Sequence, residues 1–71
     1  MTTRQRLLAE ADRRGCKVEY VPRQDSLPAE VLVDAPDGKS FDGELTQLVC
    51  IDWKDALERL AQSEITEGEP E

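Results

Sequence analysis

The chain has 71 residues, 38% of them apolar and 35% charged, with a formal net charge of −7 and no histidine. That length allows one domain standing only a few kcal/mol above its unfolded state, while the clustering of its apolar residues argues against a wholly disordered chain. So acidic a chain is repelled by nucleic-acid phosphates except through a local patch, and the missing imidazole removes the usual general base near neutral pH.

The charge is unevenly placed. Residues 1–24 hold six basic side chains against three acids, and residues 25–71 hold three against thirteen, giving +3 and −10. No run approaches the roughly 18 apolar residues of a membrane span. Arg4 and Arg6 precede no apolar segment of the kind an export signal carries, so the expected location is the cytoplasm. There the two cysteines, Cys16 and Cys50, are expected to be reduced and to pack as small hydrophobes. A disulfide needs an oxidising compartment, and a zinc site needs two further soft ligands.

In chain order, Thr2 and Gln5 fit the spacing of a capping box, and Arg4–Arg14 places Leu7, Leu8 and Ala11 on one face before Gly15 ends the helix. Cys16–Val21 alternates Cys16, Val18 and Tyr20 against Lys17, Glu19 and Val21, a strand pattern closed by Pro22. Arg23–Pro28 reads as a loop, with Leu27 placed to tuck back onto the core. Glu30–Ala35 reads as a strand with Val31, Val33 and Ala35 on one face and Leu32 on the other. Pro36-Asp37-Gly38 then turns the chain into a second strand with Phe41 inward, predicting a β-hairpin.

Asp42-Gly43 marks a second bend. It leads into Leu45–Ile51, whose crowded Leu45, Leu48, Val49 and Ile51 are expected to be buried as an irregular or short helical turn rather than a strand. Asp52 then caps a helix over Trp53–Gln62, in which Trp53, Ala56, Leu57, Leu60 and Ala61 form one apolar stripe. Asp55 adds a carboxylate at the positive end of its dipole. These elements predict an α+β domain of order α-β-β-β-α over residues 1–62. It is a three-stranded antiparallel meander (16–21, 30–35, 38–42) with both helices packed on one face and the lone indole beneath it. Residues 63–71 read as a disordered acidic tail.

Candidate chemistry is thin. Asp34, Asp37, Asp42 and Glu44 gather around the hairpin, but matching Asp34 to the first position of a calcium loop puts Pro36 where a ligand belongs. A two-carboxylate hydrolase site such as Asp37 with Asp42 has no deep cleft in so small a chain. No glycine pattern of a phosphate-binding loop is present. Cys50 lies between Val49 and Ile51 with no histidine to activate it, and Cys16, near Lys17 and Arg14, has the better claim to a lowered pKa. Trp53 on an apolar stripe belongs to a core before it belongs to a base-stacking surface.

The sequence therefore points to no catalytic, cofactor-binding or metal-binding residue. The expected function is a small, acidic, non-enzymatic protein-binding or accessory module, of phage or mobile-element type, meeting a basic protein through its acidic surface or the open edge of the first strand. The candidate partner-binding residues are Arg4, Arg13, Arg14, Lys17, Asp34, Asp37, Asp42 and Glu44. A nucleic-acid binder using the basic N-terminal helix (Arg4, Arg13, Arg14, Lys17) is the alternative, and a thiol-redox protein acting through Cys16 is the least favoured. An open edge and a half-covered sheet also make a homodimer an expectation.

Overall fold

Thr2 starts the first helix as its sequence requires. In the computed structural model, which describes residues 1–67, the Thr2 Oγ1 accepts from the Gln5 N–H at 3.1 Å and the Gln5 Oε1 accepts from the Thr2 N–H at 2.8 Å. The two bonds satisfy first-turn donors that a helix leaves open. This helix, α1 (Thr3–Arg14), stops at Gly15, whose φ of 76° is cheap only for glycine. Its inward face is Leu7 and Ala11, both buried.

Four strands follow: β1 (Lys17–Val21), β2 (Glu30–Asp34), β3 (Lys39–Phe41) and β4 (Gln47–Cys50). Then come α2 (Trp53–Gln62), capped by Asp52 accepting from the Asp55 N–H at 2.7 Å, and β5 (Ile65–Glu67). The domain is α+β, with helices and antiparallel strands.

The meander differs from the sequence expectation in its third member. The three-stranded sheet runs β1-β2-β4, whereas β3 leaves it and pairs with β5. The Pro36 turn does form, with the Lys39 N–H donating to the Pro36 carbonyl at 2.9 Å and Gly38 at φ 75°, but it does not fold β3 back along β2. The reason lies in what β2 must be matched with. Val31 and Val33 pair with Cys50 and Leu48 on one side and with Tyr20 and Val18 on the other, so each flank continues the apolar face. Lys39–Phe41 brings a single apolar side chain and cannot do that.

The run Leu45–Ile51, expected as a turn, is corrected: its centre is the strand β4 (Gln47–Cys50), with Leu45 in an isolated bridge to Phe41, and alternation along it splits its apolar residues. Leu48 and Cys50 face the core, while Leu45, Val49 and Ile51 are exposed. Ile65–Glu67, expected within the disordered tail, is instead β5. Ile65 pairs with Phe41, Thr66 with Ser40 and Glu67 with Lys39, the last pair joined by a salt bridge. The remainder of the expected tail, residues 68–71, lies outside the described residues.

The core holds Leu7, Ala11, Val31, Val33, Phe41, Leu48, Cys50, Ala56 and Leu60. The large members Phe41, Leu7 and Leu60 are fully buried, each contributing roughly 1.5–3 kcal/mol relative to exposure. Trp53 is not at the centre. It is half-buried at the margin, and Ala61, expected on the same stripe, faces solvent, as does Leu27. A ten-residue helix lying on a sheet buries a narrow arc, and Ala56 and Leu60 fill it.

Candidate functional site

The basic side chains of the N-terminal helix were the first candidates, and three of the four are engaged within the fold. Arg4 lays its guanidinium over the Trp53 ring, 5.3 Å from the centroid, and Tyr20 stacks on the same indole with centroids 5.3 Å apart and planes 17° apart. Arg13 is salt-bridged to Glu10. Arg14 reaches Glu10 at 3.2 Å and also donates to the carbonyl oxygens of Leu60 at 3.0 Å and Ser63 at 3.2 Å. The hydrogen bond from Arg13 holds the Glu10 carboxyl below its usual range, against an opposing push from desolvation and with further help from Arg14. Arg4 and Arg14 thus tie α1 to α2, whereas Arg13 stays within its own helix.

The acidic candidates separate into two places. Asp42, at φ 55°, accepts from the Glu64 N–H at 2.9 Å and so clamps the start of β5, and Glu44 is exposed in the same bend. Asp34 and Asp37 sit at the opposite end of β2's role, beside the Pro36 turn, where they line an open cleft with Lys17, Thr46 and Gln47. Asp34 accepts from the Gln47 Nε2 at 2.7 Å. Of the predicted set, Lys17, Asp34 and Asp37 share this cleft, Arg13 and Arg14 share Glu10, and Asp42 and Glu44 share the bend after β3. Among the described residues, no three His, Cys, Asp or Glu side chains converge as a metal site.

Neither cysteine is activated. Cys16 and Cys50 are free thiols. Burial pushes the Cys16 thiol up, with Arg14 opposing only in part, which corrects the expectation of a lowered value. Burial likewise pushes Cys50 up, reinforced by Asp55 and opposed by Arg59. In both, burial outweighs the neighbouring guanidinium, so neither thiol is shifted toward the thiolate.

The face of the β1-β2-β4 sheet turned away from the core carries no helix. The register fixes what lies on it. Glu19, Leu32 and Val49 form one row across the three strands, Lys17, Asp34 and Gln47 a second, and Val21 and Glu30 a third. Val49 is 50% exposed and Ile51, just past the end of β4, is 75% exposed. Neither Val21, Leu32, Val49 nor Ile51 packs against the core cluster. Leu32, Val49 and, two residues along from Val49, Ile51 thus form an apolar patch, bordered by the polar row Lys17-Asp34-Gln47, by Glu19 at the β1 end of its own row and by Glu30 beside Val21, with Arg23 lining a hollow next to Ile51.

No family model, curated protein or solved structure matches this chain.

Leu32, Val49 and Ile51 were absent from the candidates read from the sequence. The signal that would have found them is the period-two alternation of Leu48 and Cys50 against Val49 and Ile51, which a crowded apolar run conceals. No helix among the described residues is long and apolar enough to cross a membrane.

Proposed function

We propose that the protein is a non-enzymatic protein-binding module whose partner docks on the outer face of the β1-β2-β4 sheet. The observation that carries the reading is the pair Val49 and Ile51, exposed at 50% and 75% on a sheet face that neither helix covers. Singly exposed apolar residues are ordinary, but these two adjoin Leu32 in one patch, and apolar patches rimmed by polar groups mark interaction surfaces. Glu19, Glu30 and Asp34 set the charge of the rim, so the fitting partner is a protein segment that sets apolar side chains between lysines or arginines. The nucleic-acid reading draws less support, because Arg4, Arg13 and Arg14 are occupied by Trp53, Glu10 and the end of α2.

The test is a two-dimensional NMR titration of the labelled protein with three probes. These are a peptide alternating lysine with leucine, an acidic peptide of the same pattern, and a single-stranded oligonucleotide. The basic peptide is expected to move the resonances of Leu32, Val49 and Ile51, less at high salt, and to lose its effect in the Val49→Asp variant. Shifts confined to α1 on adding the oligonucleotide, or no response of the sheet face to the basic peptide, would overturn the proposal.

A further inference from the structure

The two edges of the three-stranded sheet are not alike. At the β4 edge strand, α2 supplies side chains to the backbone. Arg59 donates to the Val49 carbonyl at 3.4 Å, and Asp55 accepts from the Ile51 N–H at 3.1 Å. At β1, the other edge strand, all backbone pairing is with β2. Among the described residues no other group bonds to the backbone of Lys17–Val21. An unguarded five-residue edge is a template for another strand. Its side chains toward the outer face, Lys17 and Glu19, carry opposite charges, are exposed, and take part in none of the ion pairs of the described residues.

We infer that the edge of β1 pairs with the same edge of a second copy of this chain, antiparallel, with Val18 on the two-fold axis. This goes beyond the proposed docking face and does not depend on it. The register follows from parity and charge. In an antiparallel pair, opposed residues must both turn their backbone groups outward or both inward, so a two-fold axis passes through a residue and not between residues. An axis at Lys17 sets the two Lys17 side chains against each other, and an axis at Glu19 does the same with the two Glu19 carboxylates. An axis at Tyr20 places Lys17 opposite Arg23. An axis at Val21 sets Glu19 opposite Arg23, but it runs half the pairing past the end of β1 and through Pro22, which has no N–H to give. Within the strand, only the axis at Val18 opposes unlike charges, Lys17 against Glu19 of the second copy, and it does so twice. Directly opposed unlike charges stabilise a strand pair and like charges disfavour it.

An axis of this kind stands perpendicular to the sheet, so the assembled six-stranded sheet keeps all its helices on one side. The interface is isologous. The two outer faces become one continuous face, and the dimer presents two copies of the apolar patch, one on each side of the paired β1 strands.

Sedimentation equilibrium over a concentration series tests the association, with the monomer mass of 8.0 kDa as the baseline. The wild-type chain is expected to approach twice that mass as concentration rises. The Lys17→Glu and Glu19→Lys variants are each expected to weaken self-association by roughly ten-fold or more, since each reversal spoils two opposed pairs. Mixing the two variants in equal amounts is expected to restore association, because every opposed pair in the mixed dimer is again of unlike charge. Both positions are exposed, and far-UV circular dichroism checks that the variants fold. A monomer mass maintained to about 1 mM in the wild type, the weak end of the affinity scale, overturns the inference. So does a dimer indifferent to both reversals, or one that the mixture fails to restore. Because Val49 is not in β1, the Val49→Asp variant should dimerise normally, so failure of the dimer and failure of the docking face are separate results.

Discussion

The guanidinium of Arg14, at the end of α1, holds the carbonyl of Leu60 at 3.0 Å, near the end of α2. A cation there meets the negative end of the α2 dipole and fills acceptors that the last turn leaves open. Truncating it in Arg14→Ala should cost about 1.5–3 kcal/mol, as for hydrogen bonds to a charged group. Arg13, whose partner Glu10 is on its own helix, should tolerate the same change with no measurable loss, as exposed pairs on a helix do. Urea unfolding of both variants checks the contrast. Equal midpoints would mean that the link between the helix ends adds nothing.

The indole of Trp53 is covered by Tyr20 on the sheet side and by Arg4 from α1. Removing either cover should shift its fluorescence to the red and raise quenching by acrylamide. The Tyr20→Ala variant should lose about 0.5–1.5 kcal/mol and Arg4→Ala about 0.5–1 kcal/mol. An emission spectrum unchanged in both variants would mean that the stack does not persist in solution.

Residue Ile65 is the anchor of β5 and packs against the core beside Phe41. The Ile65→Ala variant should lose about 1–2 kcal/mol, less than the full core penalty because the side chain is half-buried. Thermal melting followed by circular dichroism reads this directly. A melting point equal to wild type would mean that the last described strand is ornamental to stability.

For the cysteines the sign of the pH effect is fixed. Burial raises both thiol pKa values above their ordinary value, so the folded protein holds these protons more tightly than the unfolded chain does. The associated stability is complete below the ordinary thiol pKa, about 8.5, and falls as pH climbs through that value toward the folded one. The urea midpoint should therefore decline between pH 8 and 10 less steeply in Cys50→Ala than in wild type. Iodoacetamide should modify both thiols in the folded protein more slowly than it modifies free cysteine at the same pH.

Local chemistry in the sequence was enough to place both helices. Thr2 with Gln5, Gly15, and Asp52 before the Trp53 stripe are signals that need no tertiary context. The inward Val31, Val33 and Phe41 were legible from alternation alone. What could not be read was partner choice among strands. The Pro36-Asp37-Gly38 turn is a real turn, but its strength says nothing about whether Lys39–Phe41 or Gln47–Cys50 better continues an apolar face along β2. That choice is made by burial across the sheet, and it hid β4 and Ile65 together. Surface and core divide by the same choice. Charged residues are conspicuous in a sequence, but the contacts that Arg4, Arg13 and Arg14 make with Trp53, Glu10 and Leu60 are not, and Val49 and Ile51 read as core because their exposure depends on the register of β4.

Pairing β3 with β5 also constrains the order in which the molecule can be assembled. Phe41 leaves the ribosome well before Ile65, which must close over it, so a nascent chain carries a large aromatic ring without its final neighbour until synthesis has passed residue 67. The helices and the three-stranded sheet can form earlier, all their parts lying within residues 3–62. A halted or prematurely ended chain would therefore be nearly shaped but unsealed, with a sticky seam at the place where the finished protein is closed.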